Sequence, residues 1–225
     1  MILKMDSGTI RQLIISILPI LIAITFHEVS HGFVANKLGD PTAKFVGRLT
    51  LNPFVHIDPI GTILMPAMLL IFTNGQFVFG YAKPVPINPQ NFRDPRRDMA
   101  ISAAAGPLMN IILAILSVLI IKFFIMPLST VLPGAINSTV MKPLMLMFTS
   151  SIIINVVLAA FNLIPIPPLD GGRVLVGLLP HKQAISYSRI EPFGFIIVII
   201  LIVTGLAHYF VIPLVNLFLA LLRLF

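Results

Sequence analysis

Residues 13–31 read LIISILPILIAITFHEVSH. The first fourteen of them, 13–26, carry no ionisable side chain, and then His27, Glu28 and His31 arrive together. Positions i and i+4 of a helix share one face, so His27 and His31 point the same way and Glu28 follows directly on the first of them. A charge near the centre of a bilayer costs about 3 kcal/mol or more, so titratable groups placed at the end of an apolar helix imply a function.

The rest of the chain supports a membrane setting for that helix. It has 225 residues, of which 57% are hydrophobic and 10% charged, and its mean hydropathy is +1.02. A soluble domain carries about 25% charged residues. Further apolar runs cover 111–121, 151–161 and 193–203. The net charge of +7 comes from cations lying mostly between the apolar runs, which reads as membrane topology and not as a nucleic-acid surface. There is no cysteine, so disulfides and thiolate metal sites are excluded. Lys4 and Arg11 precede the first apolar run as in a signal peptide, but no small-x-small cleavage site follows and no cleaved leader is expected.

The organisation expected is a single unit, 1–225. A helix over 9–38, kinked at Pro19, carries HEVSH and ends at Gly39-Asp40-Pro41. A loop over 39–97 holds β-prone pieces at 45–51 and 76–81 and a short apolar segment at 60–72 with Pro66 inside it. Thirteen residues of helix span about 20 Å, less than a hydrocarbon core of about 30 Å. Helices over 98–126 and 142–163 follow; IPIPPLDGGR interrupts the second, with a short segment at 174–179 behind it, and two helices fill 190–225. The fold class is thus an all-α polytopic membrane protein with five to six transmembrane helices, one re-entrant segment and short β-like strands in the loops.

HExxH is a metal signature: two imidazoles reach one ion, and the glutamate is a base for an activated water. With five His and two Glu in the chain, chance matches to the motif number on the order of 0.001. Asp170, just past a long apolar helix, is the expected third ligand; its competing role is an N-cap on the segment that follows. His56 and Asp58, in NPFVHIDPIGT, are read as loop structure first, with His56 as a secondary metal candidate. His181 and His208 lie near loops and are read as interfacial.

Together, HExxH in a first apolar helix, AAGPLMN at 104–110 and NLIPIPPLDGG at 162–172 resemble the site-2 protease family of intramembrane zinc metalloproteases. The resemblance covers about residues 10–177. It implies one Zn2+ per chain, His27, His31 and Asp170 as ligands, and Glu28 as catalytic base. It also implies that Asn162 holds the substrate backbone or the developing oxyanion, and that Gly106, Pro107 and Asn110 pack near the site. It implies a transmembrane-helix protein as substrate. The chain reads as a compact branch without a PDZ or CBS domain.

HEVSH and Asp170 must lie near the same membrane face, which a full crossing at 60–72 would forbid. A dip there, with the N-terminus outside, places eleven cations inside and four outside; a crossing gives ten and five. The expectation is five crossings plus the dip, with the zinc nearer the cytosolic face of a prokaryotic plasma membrane. The competing functions are a membrane zinc carrier or sensor, which has no need of Glu28, and a catalytically inactive scaffold.

Overall fold

The computed structural model describes residues 7–72 and 80–225. Helix α1 (Ser7–Leu38) runs unbroken through Pro19. Gly39 ends it at φ +114°, a left-handed conformation that favours glycine. Short α2 (Thr42–Phe45), a 3₁₀ turn at Pro53–His56 and a π turn at Pro59–Leu64 lead into α3 (Met65–Phe72). The chain reappears at Gly80 and runs extended to a 3₁₀ turn at Pro89–Asn91.

Helix α4 (Pro95–Ile120) starts firmly. Asp94 accepts from the Arg97 N–H at 3.2 Å, Asp98 accepts from the Asp94 N–H at 3.1 Å, and Pro95 sits where no N–H is needed. A π turn carries it on into α5 (Met126–Val131). After α6 (Gly134–Ile136) come α7 (Lys142–Asn162), α8 (Asp170–Leu178), α9 (His181–Ser188), α10 (Glu191–Val203) and α11 (Ala207–Leu222). Helix α4 is the centre of the bundle, packed against α1, α7 and α8.

The packing is reversed from that of a soluble protein. Small and polar side chains fill the interior: Ala23, Ala114, Ala159, Ser102, Asn110 and Asn155 are all fully buried. Large apolar ones face out, among them Ile14 (65% exposed) and Phe124 (69%). Small residues let helices approach in a medium where apolar side chains gain nothing by hiding. Among the described residues three helical stretches, Ile14–Leu38, Pro95–Val131 and Gly134–Asn162, are long and apolar enough to cross a membrane. A fourth results if α9 and α10, bent by 67°, count as one span. The protein is an integral membrane protein. The sixteen residues of α11 reach only about 24 Å, so these lengths do not give five to six full spans.

Three details revise or sharpen the expected map. The excursion through α3 comes back on itself: the Tyr81 N–H donates to the Gly61 carbonyl at 3.0 Å, and the Thr62 hydroxyl donates to the Tyr81 carbonyl at 2.8 Å. The expected β-like strands are a correction. Residues 42–45 form α2, no strand occurs among the described residues, and residues 76–79 of the second piece lie outside them. The extended stretch 80–88 finds side chains and loop carbonyls for its polar groups instead of a neighbouring ladder. Finally, the Lys122 ammonium donates to the Phe225 carbonyl at 2.5 Å, and Leu222 packs on Ala114 and Val156. The chain end therefore lies beside Lys122, whereas the five full crossings expected would put the two at opposite faces.

Candidate metal centre

Three buried groups converge where α1, α4 and α8 meet. His27 Nε2 and His31 Nε2 stand 3.1 Å apart, and Asp170 Oδ2 lies 3.2 Å from the first and 3.3 Å from the second. All three residues are more than nine-tenths buried.

Each histidine is oriented from behind. His31 Nδ1 lies 2.8 Å from the Ser102 carbonyl, which can only accept, so that nitrogen carries the hydrogen. The Ser102 hydroxyl returns a bond to the His31 carbonyl at 2.9 Å. His27 Nδ1 lies 2.5 Å from Asn110 Oδ1, again an acceptor. With Nδ1 donating, the neutral form of each ring turns an Nε2 lone pair toward Asp170, as metal-ligating histidines do.

Backbone geometry makes the meeting possible. A Cβ on Gly106 would lie 2.5 Å from His31 Cε1 and 2.7 Å from His27 Cε1, so only glycine lets α4 pass this close to both rings. A Cβ on Gly171 would come within 2.6 Å of the Ile164 carbonyl oxygen, so glycine lets α8 begin tight against the 163–169 loop. Asp170 is the first residue of α8 with its carboxylate on the histidines, not a cap.

The donor set fits zinc. Two nitrogens and one carboxylate oxygen are ordinary zinc ligands, and three ligands leave a tetrahedral ion one position for water or substrate. Ligand atoms about 2.0–2.1 Å from one tetrahedral ion stand about 3.3–3.4 Å apart, close to the three separations here. Asp170 Oδ2 is buried with no hydrogen bond of its own. Three lone pairs facing one another in a buried space call for a cation.

Glu28 is half-buried, and its Oε2 accepts the Val85 N–H at 2.8 Å. Val85 belongs to the extended stretch 80–88, which lies over α1 with its side chain against Gly32. Asn162 donates to the Leu158 carbonyl one turn back, at 3.0 Å. His56 is buried in the loop, 2.9 Å from the Thr50 carbonyl through Nε2, and is not part of the metal-competent group. Asp58 caps the π turn, accepting from the Ile60 and Gly61 N–H groups at 2.9 and 2.7 Å. His181 and His208 are exposed. Sequence reading passed over Ser102 and Asn155, whose parts rest on contacts between helices.

Helices that turn apolar side chains outward around a buried HExxH–Asp centre define a membrane-embedded metalloprotease. Residues 15–205 match the family described as Peptidase family M50, and the chain belongs to that family of zinc metalloproteases. YwhC of Bacillus subtilis, named as a proposed zinc metalloprotease, is 38% identical over 200 residues, covering 89% of this chain and 85% of its own. Rip2 of Mycolicibacterium smegmatis, named in the same way, is 28% identical over 82% of this chain and 64% of its own. The zinc metalloprotease MJ0392 of Methanocaldococcus jannaschii is 27% identical over 72% of this chain and 33% of its own. No solved structure matches the chain.

Proposed function

We propose that the chain is an intramembrane endopeptidase that cuts transmembrane segments of membrane-protein substrates, with one zinc per chain held by His27, His31 and Asp170. The observation that carries this reading is the ligand triangle of 3.1, 3.2 and 3.3 Å, buried within helices whose large apolar side chains face outward.

A zinc ion held there supplies Lewis acidity, drawing the pKa of a water toward neutrality and polarising a peptide carbonyl. Glu28, one residue beyond the first ligand, removes the proton from that water and delivers it to the departing amine. The Asn162 amide, released from Leu158, donates to the scissile carbonyl oxygen as charge builds on it. A substrate helix hides its amides in its own hydrogen bonds, so the preferred segments unwind easily, through Gly, Pro or Asn. The stretch 80–88 acts as a flap, because its Val85 N–H occupies the Glu28 carboxylate that the reaction needs.

We propose a membrane map of four traversals, α1, α4, α7 and a last one that starts with α10 and finishes with α11, in place of a span made of α9 and α10. Glu191, 3.6 Å from Arg173, starts α10 near α8, whereas α11 ends beside Lys122. The hydrogen-bonded pair Gly61–Tyr81 supports re-entry at 60–72. With Arg223 beside Lys122, the cations divide ten and five, the larger group on the side where α1 ends. We assign that side to the cytosol of a prokaryotic plasma membrane, with the zinc roughly 9–15 Å deep, and the whole chain to one unit.

The test compares wild type with Glu28→Gln in membranes, reading transmembrane fragments by proteomics and zinc by stoichiometry. Cleavage should fall about 10²–10⁴-fold while zinc stays bound. Equal cleavage by both would overturn the reading. Bound zinc with no fragment difference would favour a carrier or sensor, and absence of zinc from wild type would remove both.

A further inference from the structure

The two histidines proposed as ligands are oriented by different kinds of group. His31 Nδ1 faces a backbone carbonyl, which cannot be anything but an acceptor. His27 Nδ1 faces the end of a side-chain amide, and an amide can offer either oxygen or nitrogen. If Asn110 were turned round, it would offer an N–H, and His27 would have to put its own hydrogen on Nε2, where the lone pair is wanted.

What settles Asn110 lies on the far side of it. Its Nδ2 donates to Asn155 Oδ1 at 2.8 Å and, more weakly, to the Ala23 carbonyl at 3.3 Å. Asn155 is set in turn by its own helix: its Nδ2 donates to the Ser151 carbonyl at 2.9 Å and lies 3.2 Å from the Ser151 hydroxyl, which is 2.9 Å from that of Ser117. Asn110 and Asn155 are both fully buried, so water cannot replace a lost partner. The direction of donation therefore begins at a helix carbonyl of α7, passes through two amides across α4, and ends as the choice of tautomer on His27.

We infer that Asn155, which touches none of the three ligands, is a positioning residue that fixes the metal-competent tautomer of His27 through Asn110. The inference rests on the reading of His27 as a ligand, and it concerns His27 alone: His31, held by backbone, is its internal control.

The experiment uses the full chain in detergent, with wild type, Asn155→Leu and Asn155→Asp. Leucine fills a similar volume but accepts nothing. Aspartate still accepts from Asn110. Two readouts are taken: ¹⁵N imidazole shifts of the metal-free protein, which report each tautomer, and zinc affinity by chelator competition. Asn155→Leu should move His27 toward its Nε2–H form, leave His31 in place, and weaken zinc about 10–100-fold. Asn155→Asp should keep the wild-type tautomer and hold zinc within about threefold. A purely packing role predicts the reverse order, since a buried carboxylate disturbs a bundle more than leucine does. The inference falls if Asn155→Leu leaves the His27 tautomer unchanged, if both histidines change together, or if Asn155→Asp is the weaker zinc binder. The tautomer readout needs no zinc and no cleavage. A wild type that binds no zinc at these residues would therefore defeat the functional reading, while the relay would still be judged by its own signal.

Discussion

The metal centre has a floor and a cover, and they are built on different principles. The floor is helix packed on helix: Gly106 brings α4 against both imidazoles, and buried amides and carbonyls hold the rings from behind. The cover is the stretch 80–91, held at intervals by single polar contacts. His56 and Gly61 carbonyls take the Lys83 and Tyr81 N–H groups, Arg48 donates to the Lys83 carbonyl at 2.6 Å, and Asp40 takes the Asn88 N–H at 2.7 Å. A packed floor cannot move one part without the others, whereas a cover held by separable bonds can lift. Precision is thus concentrated where the two histidines and Asp170 meet, and freedom in the stretch that lies over them.

The sharpest way to break the floor is Gly106→Ala. The added methyl has nowhere to go between the two rings, so α4 must withdraw or the histidines must turn. Zinc stoichiometry should fall from one per chain toward zero, and cleavage with it, as measured by metal analysis of purified protein. The cover should be nearly untouched, with unchanged hydrogen exchange around Asn88.

A smaller effect is expected on the cover from Asp40→Ala. The fully buried Asp40 carboxylate accepts from the Thr42 N–H at 3.1 Å, the Thr42 hydroxyl at 2.5 Å, the Asn91 amide at 2.7 Å and the Asn88 N–H. Removing it leaves those donors unpaired and should destabilise the cover by on the order of 3 kcal/mol. Faster hydrogen exchange at Asn88, with zinc still bound, would check it. Burial pushes the Asp40 carboxyl up, but the bonds from Thr42, Asn91 and Asn88 outweigh it and hold it below the usual carboxylate range. Its contribution is therefore complete above the unfolded pKa of about 4 and is lost as pH falls below that toward the folded value. The same exchange should accelerate in acid in wild type and not further in Asp40→Ala.

The three side chains of the candidate centre could be picked out in the sequence because local rules bring them forward. HExxH places two rings on one face by helix spacing alone, and the LDGG glycines mark a close approach beside Asp170. The short length of 60–72 fits a segment that folds back, as the Tyr81 bond to Gly61 shows the chain to do here. What was not legible is whatever depends on which helix faces which. Asn155 reads as one more polar residue in an apolar helix until α4 brings Asn110 to it. The β-like pieces misled because β-prone residues form strands only where a ladder partner exists, and here side chains take that part. Helix α9 was missed because HKQAISYS has no long apolar face to announce it. The place of the chain end was not legible either, because it depends on how α11 packs: five full crossings would put it at the face opposite Lys122, and it lies beside Lys122.

The smallest expected effect lies on a bond that joins the two regions, from Val85 N–H to Glu28 Oε2. Val85 stands between Pro84 and Pro86, so it carries the one N–H in that triplet, and the Glu28 carboxylate receives it. A hydrogen bond to a carboxylate is roughly twice as strong as one to a neutral oxygen. Glu28→Gln keeps an acceptor in place but removes the charge, so the contact should weaken by about 1 kcal/mol, and Val85 amide exchange should rise by about fivefold or less. The ligand triangle should be unaffected, with zinc affinity near that of wild type. An unchanged Val85 exchange rate in Glu28→Gln would mean that the cover is held at this point by the packing of the Val85 side chain on Gly32 and not by the base. The flap would then open without releasing Glu28, and cover and floor would be independent where the structure joins them.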